Sequence, residues 1–244
     1  MPSIIIYKKI KKKYLNQLNI NIKKLEKMKK YLLTFALGVM SLTAFAQSNY
    51  EKVMTEKITK LEACKSTDEF QTLANDFDRI AKKETTQWLP SYYAAFSYIQ
   101  KGRLLMRQGK ITDLSVQANA AFNYLDAAEK IAGNDNSEIH LLKKMAYSLK
   151  MMENPAERYM TDGVKAIEEL KIAEKLNPNN PRVFLIKAED TYFTPEQYGG
   201  SKAKGLEQFK TALDKFNAFK TKTLLDPNWG KSEAEYFLSQ GPVK

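Results

Sequence analysis

The chain has 244 residues, of which 43% are hydrophobic, enough for one or two globular units. Its formal net charge of +11 suggests nucleic acid or an anionic surface as a partner. Residues 1–46, however, hold ten of the 39 basic residues and one of the 28 acidic residues, which leaves 29 and 27 elsewhere. The basic character therefore belongs to the N-terminal segment, and we expect no nucleic-acid partner.

The N-terminal segment contains the pattern of a secretory signal peptide. Two lysines follow Met28, an apolar run covers residues 31–43, and Ala44-Phe45-Ala46 precedes Gln47. The run is shorter than the roughly 20 residues that cross a bilayer. We therefore predict a signal peptide over 28–46, cleavage between Ala46 and Gln47, and a periplasmic product with no stable membrane span. An uncleaved anchor is the alternative.

Residues 1–27 precede this complete signal peptide. We interpret them as a disordered upstream extension and Met28 as the true start. A start at Met1 with a long positively charged region is the alternative.

Residues 47–84 predict a helical hairpin. Ser66 and Glu69 form a capping-box pattern before a second helix, where Phe70, Leu73 and Phe77 recur at helical spacing. The single cysteine, Cys64, excludes a disulfide within the monomer, and we expect it to be a buried, inert thiol on the first helix.

Residues 85–244 predict three related helix pairs, at 85–133, 134–178 and 179–244. The second helix of each carries a small residue, a larger apolar residue and alanine at the same offsets. Small residues let a partner helix approach closely, and no segment alternates at the period of a strand. The three sets are Ala121, Leu125 and Ala128; Ala166, Leu170 and Ala173; and Gly205, Phe209 and Ala212.

The third pair has the clearest boundaries. Asn180 and Pro181 predict the start of its first helix, and Thr194-Pro195 predicts the end. Gly199-Gly200 permits a positive φ at a tight corner, and Ser201 predicts the cap of the second helix.

With Pro178 added, the set from Ala166 to Ala173 resembles the second half of the tetratricopeptide repeat. The resemblance implies an all-α, right-handed solenoid of antiparallel helix pairs, with about eight or nine helices, whose first helices line a concave groove. The loop from Tyr192 to Gly200 also resembles one in the accessory T-subunits of some bacterial solute transporters, and residues 226–230 resemble exported proteins of the Bacteroidetes group.

The sequence shows no catalytic constellation. His140 is the single histidine, which excludes a metal site built on a pair of imidazoles, and it is expected to be structural. No nucleophile elbow or phosphate-binding loop is present. Asp135 and Asn136 predict a capped turn before a helix. We therefore expect no enzyme activity, no metal and no cofactor.

Aromatic residues on first helices and adjoining loops are the candidate binding residues, with core packing as the alternative for each. Tyr198 and Trp229 lie in predicted loops, so we expect them to be the most exposed. The candidates are Tyr93, Tyr98, Tyr147, Tyr192, Phe193, Tyr198 and Trp229.

Together these patterns predict a non-catalytic, exported, tetratricopeptide-like protein that binds a protein or peptide partner in the cell envelope. The alternative is a small-solute or lipid-binding accessory protein of a transport system.

Overall fold

The computed structural model describes residues 24, 27–29, 49–133 and 135–241. The predicted cleavage site at Ala46 and Gln47 lies outside these residues, as does most of the predicted extension. The chain divides into two compact units, Met1–Lys52 and Val53–Lys244. In the first unit every described residue is helical. The helix pairs and the candidate site described below lie in the second unit.

The described part of the chain is all-α and contains no strand, which confirms the predicted fold class. None of its helices is long and apolar enough to cross a membrane. The helices are α1 (49–63), α2 (Thr67–Lys83), α3 (Leu89–Arg107), α4 (Leu114–Ala132), α5 (Ser137–Glu153), α6 (Pro155–Arg158), α7 (Val164–Leu176), α8 (Pro181–Phe193), α9 (Lys202–Ala218) and α10 (Lys231–Ser239).

The helix count slightly exceeds the predicted eight or nine for two local reasons. A π-helical turn (Tyr159–Gly163) separates α6 from α7 in what is otherwise one helical stretch. The short helix α10 is a third helix within the last predicted unit, 179–244. Neither feature has a strong periodic signal, because each covers only a few turns.

Helix pairs form where the small-residue patterns predict them: α3 packs on α4, α5 on α7, and α8 on α9. The small and apolar residues of all three predicted sets are buried. At Gly205 a Cβ atom would lie 2.9 Å from the Cα of Tyr192, so α9 approaches the backbone of α8 too closely for a larger residue. The pattern therefore marks close helix packing.

The predicted helix ends are confirmed in detail. Ser66 and Glu69 form a complete capping box. The side chains of Asn136, Asn180 and Ser201 each accept a backbone N–H at the start of a helix.

The corner after α8 needs both of its glycines. Gly199 has a φ of 90°, as predicted. Gly200 is required for a different reason, since a Cβ atom there would lie 1.7 Å from the carbonyl oxygen of Thr194.

The prediction for Cys64 is partly wrong. Helix α1 ends at residue 63, so Cys64 lies just beyond it and is half-buried. Partial burial, with a smaller effect from Glu69, raises the pKa of the thiol, which disfavours the reactive thiolate.

The first helices α3 and α8 run in the same direction and contact each other through their side chains. Near their N-terminal ends, Glu138 of α5 accepts hydrogen bonds from Tyr92 of α3 at 3.2 Å and Arg182 of α8 at 2.9 Å. Farther along, Arg103 of α3 donates to Glu189 of α8 at 2.8 Å. We call the side on which these residues meet the inner face.

Candidate ligand-binding site

The C-terminal segment, residues 219–230, folds back onto the inner face. The hydroxyl of Tyr93 donates to the carbonyl oxygen of Leu225 at 2.9 Å. The indole N–H of Trp229 donates to the hydroxyl of Tyr92 at 2.9 Å, and its ring stacks on Phe96 with centroids 4.6 Å apart. This segment therefore fills the inner face beside the N-terminal half of α3, which we call the closed end.

The expectation that Trp229 is exposed is wrong. Only 8% of the residue is accessible, because the loop that carries it folds into the space that an open groove would leave. Tyr93 is also buried, at 2%. Both predicted binding residues therefore form part of the core of the closed end.

A buried charged network holds the closed end together. Arg182 forms a bidentate pair with Glu138, which also accepts a hydrogen bond from the side-chain amide of Asn180 at 2.6 Å. The guanidinium of Arg182 lies over the ring of Phe219, 4.9 Å from its centroid. Burial, with a smaller effect from Glu138, raises the pKa of Tyr92, so its hydroxyl keeps the proton that it donates.

A second charged group lies farther along the inner face. One terminal nitrogen of Arg103 donates to Glu189 at 2.8 Å and to Glu233 of α10 at 2.6 Å. Burial raises the pKa of Glu189 to about 7; Arg103 opposes this shift and Glu233 adds to it. On α5, Lys144 pairs with the neighbouring Asp190, so a second ion pair joins α5 to α8.

One helical turn beyond this group, the inner face ends in a surface of three exposed residues and one half-buried residue, Phe237. We call this surface the rim: Arg107, Phe193, Tyr236 and Phe237. Arg107, Phe193 and Phe237 each lie four residues after a member of the charged group, so they share its helix faces. The rings of Phe193 and Phe237 are 5.4 Å apart. Phe193 is 62% exposed and Tyr236 is 59% exposed.

Packed aromatic rings support the rim from beneath. Phe237 stacks on the buried Phe209 with centroids 4.6 Å apart. Tyr192 packs at 5.1 Å from Phe193 and at 5.4 Å from Phe237. The exposed rings are thus held by a rigid base, which reduces the entropy lost when a ligand packs against them.

Arg107 gives the rim its positive charge. Within the described part of the chain, its side chain has no hydrogen bond or ion pair. Partial burial and the neighbouring Arg103 lower the pKa of Arg107, while Glu233 and Glu189 oppose the shift. The rim therefore combines a flat apolar surface with a cation that has no partner among the described residues.

The predicted binding residues fall into four locations. Phe193 lies at the rim with Tyr192 beneath it, and Tyr198, 76% exposed, lies in the 3₁₀ turn (Glu196–Tyr198) directly after α8. Tyr93 and Trp229 lie in the closed end.

The last two predicted residues pack against the second helices. Tyr98 stacks on Tyr124 of α4 and accepts a hydrogen bond from Gln71. Tyr147 packs on Phe122 of α4 at 4.5 Å, beneath the amine of Lys165 on α7. Their rings are half-buried and are not part of the rim.

Three residues of the rim were not among the predicted binding residues: Arg107, Tyr236 and Phe237. A local signal was available, since Arg103 and Arg107 share one face of α3 and Glu233 and Phe237 share one face of α10. Nothing local indicates that these two faces meet.

The single histidine lies between two helices. Nδ1 of His140 lies 2.6 Å from a carboxylate oxygen of Glu169 and bridges α5 to α7. Among the described residues no group of three or more histidine, cysteine, aspartate or glutamate side chains is placed to hold a metal ion.

No protein-family model matches the sequence, and neither does any curated protein. A solved structure of the HusA haemophore from Porphyromonas gingivalis does match, with 33% sequence identity and a TM-score of 0.68. The match covers 78% of this chain and 92% of that chain. The chain belongs to the HusA haemophore family. A haemophore is a binding protein rather than an enzyme, which agrees with the prediction of an exported binding protein.

Proposed function

We propose that the protein is an exported haem-binding protein and that the rim is its binding surface. The observation that carries the proposal is the exposed aromatic surface of Phe193 and Tyr236, supported by packed rings and lying beside Arg107, which has no ion-pair partner among the described residues, in a chain of the HusA haemophore family. Haem is a flat apolar molecule with acidic groups at one edge, and these two features match the two parts of the rim.

Ring packing would supply most of the affinity. Exposed aromatic side chains bury apolar area when a flat ligand covers them, at about 25 cal/mol per Å², and offset stacking of rings adds to this. Tyr198 and Tyr236 are the exposed tyrosines at or next to the rim, and a tyrosine oxygen is among the ligands that proteins use for haem iron. His140 is engaged with Glu169 between α5 and α7.

The test is an absorbance titration of the mature protein with haemin. Replacing the exposed rings in the double variant Phe193→Ala/Tyr236→Ala should weaken binding by at least about tenfold, since it removes the packing surface. Leu224→Ala is the matched control, because Leu224 is 87% exposed but lies in the segment of the closed end. Circular dichroism before the titration checks that each variant is folded.

Two results would overturn the proposal. One is a wild-type protein that leaves the haemin spectrum unchanged. The other is a double variant that binds haemin as tightly as the Leu224→Ala control does.

The pairing of helices also supports a description as degenerate tetratricopeptide repeats, which we retain as part of the proposal. A protein or peptide partner in the envelope is the second candidate. It is favoured by the exposed apolar residues Tyr159 and Met160 on the π turn, which are 55% and 75% accessible. A partner in the concave groove is disfavoured, because the C-terminal segment fills its closed end.

A further inference from the structure

We propose that Arg107 is the carboxylate-recognising residue of the rim and that the ligand is therefore a flat apolar molecule bearing at least one free carboxylate. The inference rests on the proposed function and adds the chemical group that the site selects. The inference predicts that the site distinguishes two ligands with the same ring system when the carboxylates of one are free and those of the other are masked.

Carboxylate partners are unevenly distributed along one face of α3. Arg103 and Arg107 are one turn apart, and the two carboxylates nearest to them, Glu189 and Glu233, both accept from Arg103. Within the described residues, no carboxylate contacts Arg107. Arg103 therefore has two carboxylate partners, and Arg107 has none among the described residues.

The electrostatics of the rim also favour an added carboxylate. Arg107 is exposed, and partial burial of its side chain together with the neighbouring Arg103 lowers its pKa. A carboxylate at this position would offset the repulsion between the two guanidinium groups. The remaining terminal nitrogen of Arg103 is itself buried and has no hydrogen-bond partner among the described residues, so the face carries unused donors at two successive turns.

The rings and Arg107 lie at the same level of the inner face. Phe193 and Phe237 follow Glu189 and Glu233 by one helical turn, and Arg107 follows Arg103 by one turn, so all three lie beyond the charged group on the same helix faces. A ligand that packs on Phe193 and Tyr236 therefore lies beside the guanidinium. Arginine presents a planar fork of donors that matches a carboxylate in two parallel hydrogen bonds, a geometry that lysine lacks.

The experiment compares haemin with haemin dimethyl ester, in which both acids are masked, in the same aqueous–dimethyl sulfoxide buffer. The proteins are wild type, Arg107→Gln and the control Arg79→Gln, which removes an arginine that is 77% exposed on α2. We expect Arg107→Gln to weaken haemin binding about tenfold, the effect of one charge-assisted hydrogen-bonded contact. The ester should bind wild type and Arg107→Gln with the same, weaker affinity.

The outcomes separate this inference from the proposed function. If Arg107→Gln binds haemin as wild type does, or loses as much affinity for the ester as for haemin, the inference is wrong and the haem-binding proposal stands. If wild type binds neither compound, both are wrong. Arg107→Lys should restore only part of the haemin affinity, because it keeps the charge but not the fork.

Discussion

Glu189 is a carboxyl group whose pKa departs far from its ordinary value. Only 12% of its side chain is accessible, and it shares one nitrogen of Arg103 with Glu233, so a single cation faces two acids. Burial and Glu233 raise its pKa from 4.5 to about 7 against the opposing effect of Arg103. The folded protein therefore holds a proton on this carboxyl group at a pH where the unfolded chain has released it.

This shift predicts how stability depends on pH. Because the pKa of Glu189 is higher in the folded state, its contribution is fully present below about pH 4.5 and is lost as pH rises through about 7. Over that window the free energy of unfolding should fall by about 1–3 kcal/mol more in wild type than in Glu189→Gln. Urea denaturation between pH 5 and pH 8 measures the difference.

Glu168→Gln on the exposed side of α7 is the control for that experiment, and it should follow the wild-type profile. If the unfolding free energies of wild type and Glu189→Gln change in parallel with pH, Glu189 does not hold the proton in the folded protein.

At the scale of elements, the C-terminal segment decides which part of the inner face stays open. Trp229 fills the space between the first helices near their N-terminal ends, and Glu233 attaches α10 to Arg103. Gly230 makes the turn between them possible. Its φ is 104°, and a Cβ atom there would lie 2.6 Å from Leu185 and 3.0 Å from Phe216. The segment and α10 thus pack as parts of the core.

Removing the central ring of this segment should be costly. Trp229→Ala deletes a buried indole that stacks on Phe96 and donates to Tyr92, and large aromatic truncations in a core cost about 3–5 kcal/mol. Chemical denaturation followed by circular dichroism measures the loss. The neighbouring exposed Leu224→Ala should change the unfolding free energy little. Equal, small effects of both substitutions would contradict the packing of the closed end.

At the scale of the whole molecule, the proposed binding surface lies in the part of the chain whose net charge is close to zero. Without residues 1–46, basic and acidic residues almost balance, so the affinity of the rim depends on its local charge and not on a net attraction. The helices that carry the rim all lie in the unit Val53–Lys244. The predicted signal peptide accounts for the basic character of the N-terminal segment.

Export predicts a defined mature N-terminus. When the full chain is produced in a host that processes bacterial signal peptides, the secreted protein should begin at Gln47, because the small residues Ala44 and Ala46 form the cleavage site. N-terminal sequencing or intact-mass measurement checks this. A replacement of Ala46 by a bulky residue should block processing, and a product that keeps Met28 would contradict the signal peptide.

Local sequence features predicted much of the architecture. Capping by Ser66, Asn180 and Ser201 and the close packing at Gly205 depend on residues within a few turns of one another, so periodicity and turn chemistry suffice to find them. For the same reason Phe193 and Tyr198 could be proposed as binding residues next to a predictable loop.

The closed end and the rim were decided by tertiary structure alone. Trp229 meets Tyr92 across 137 positions of the chain, and Glu233 meets Arg103 across 130. A helical period states which side of a helix is apolar, but it does not state which other helix will cover that side. Residues with equal aromatic character therefore ended in opposite environments: Trp229 in the core and Phe193 in solvent, because the returning segment covers one end of the inner face and leaves the other open.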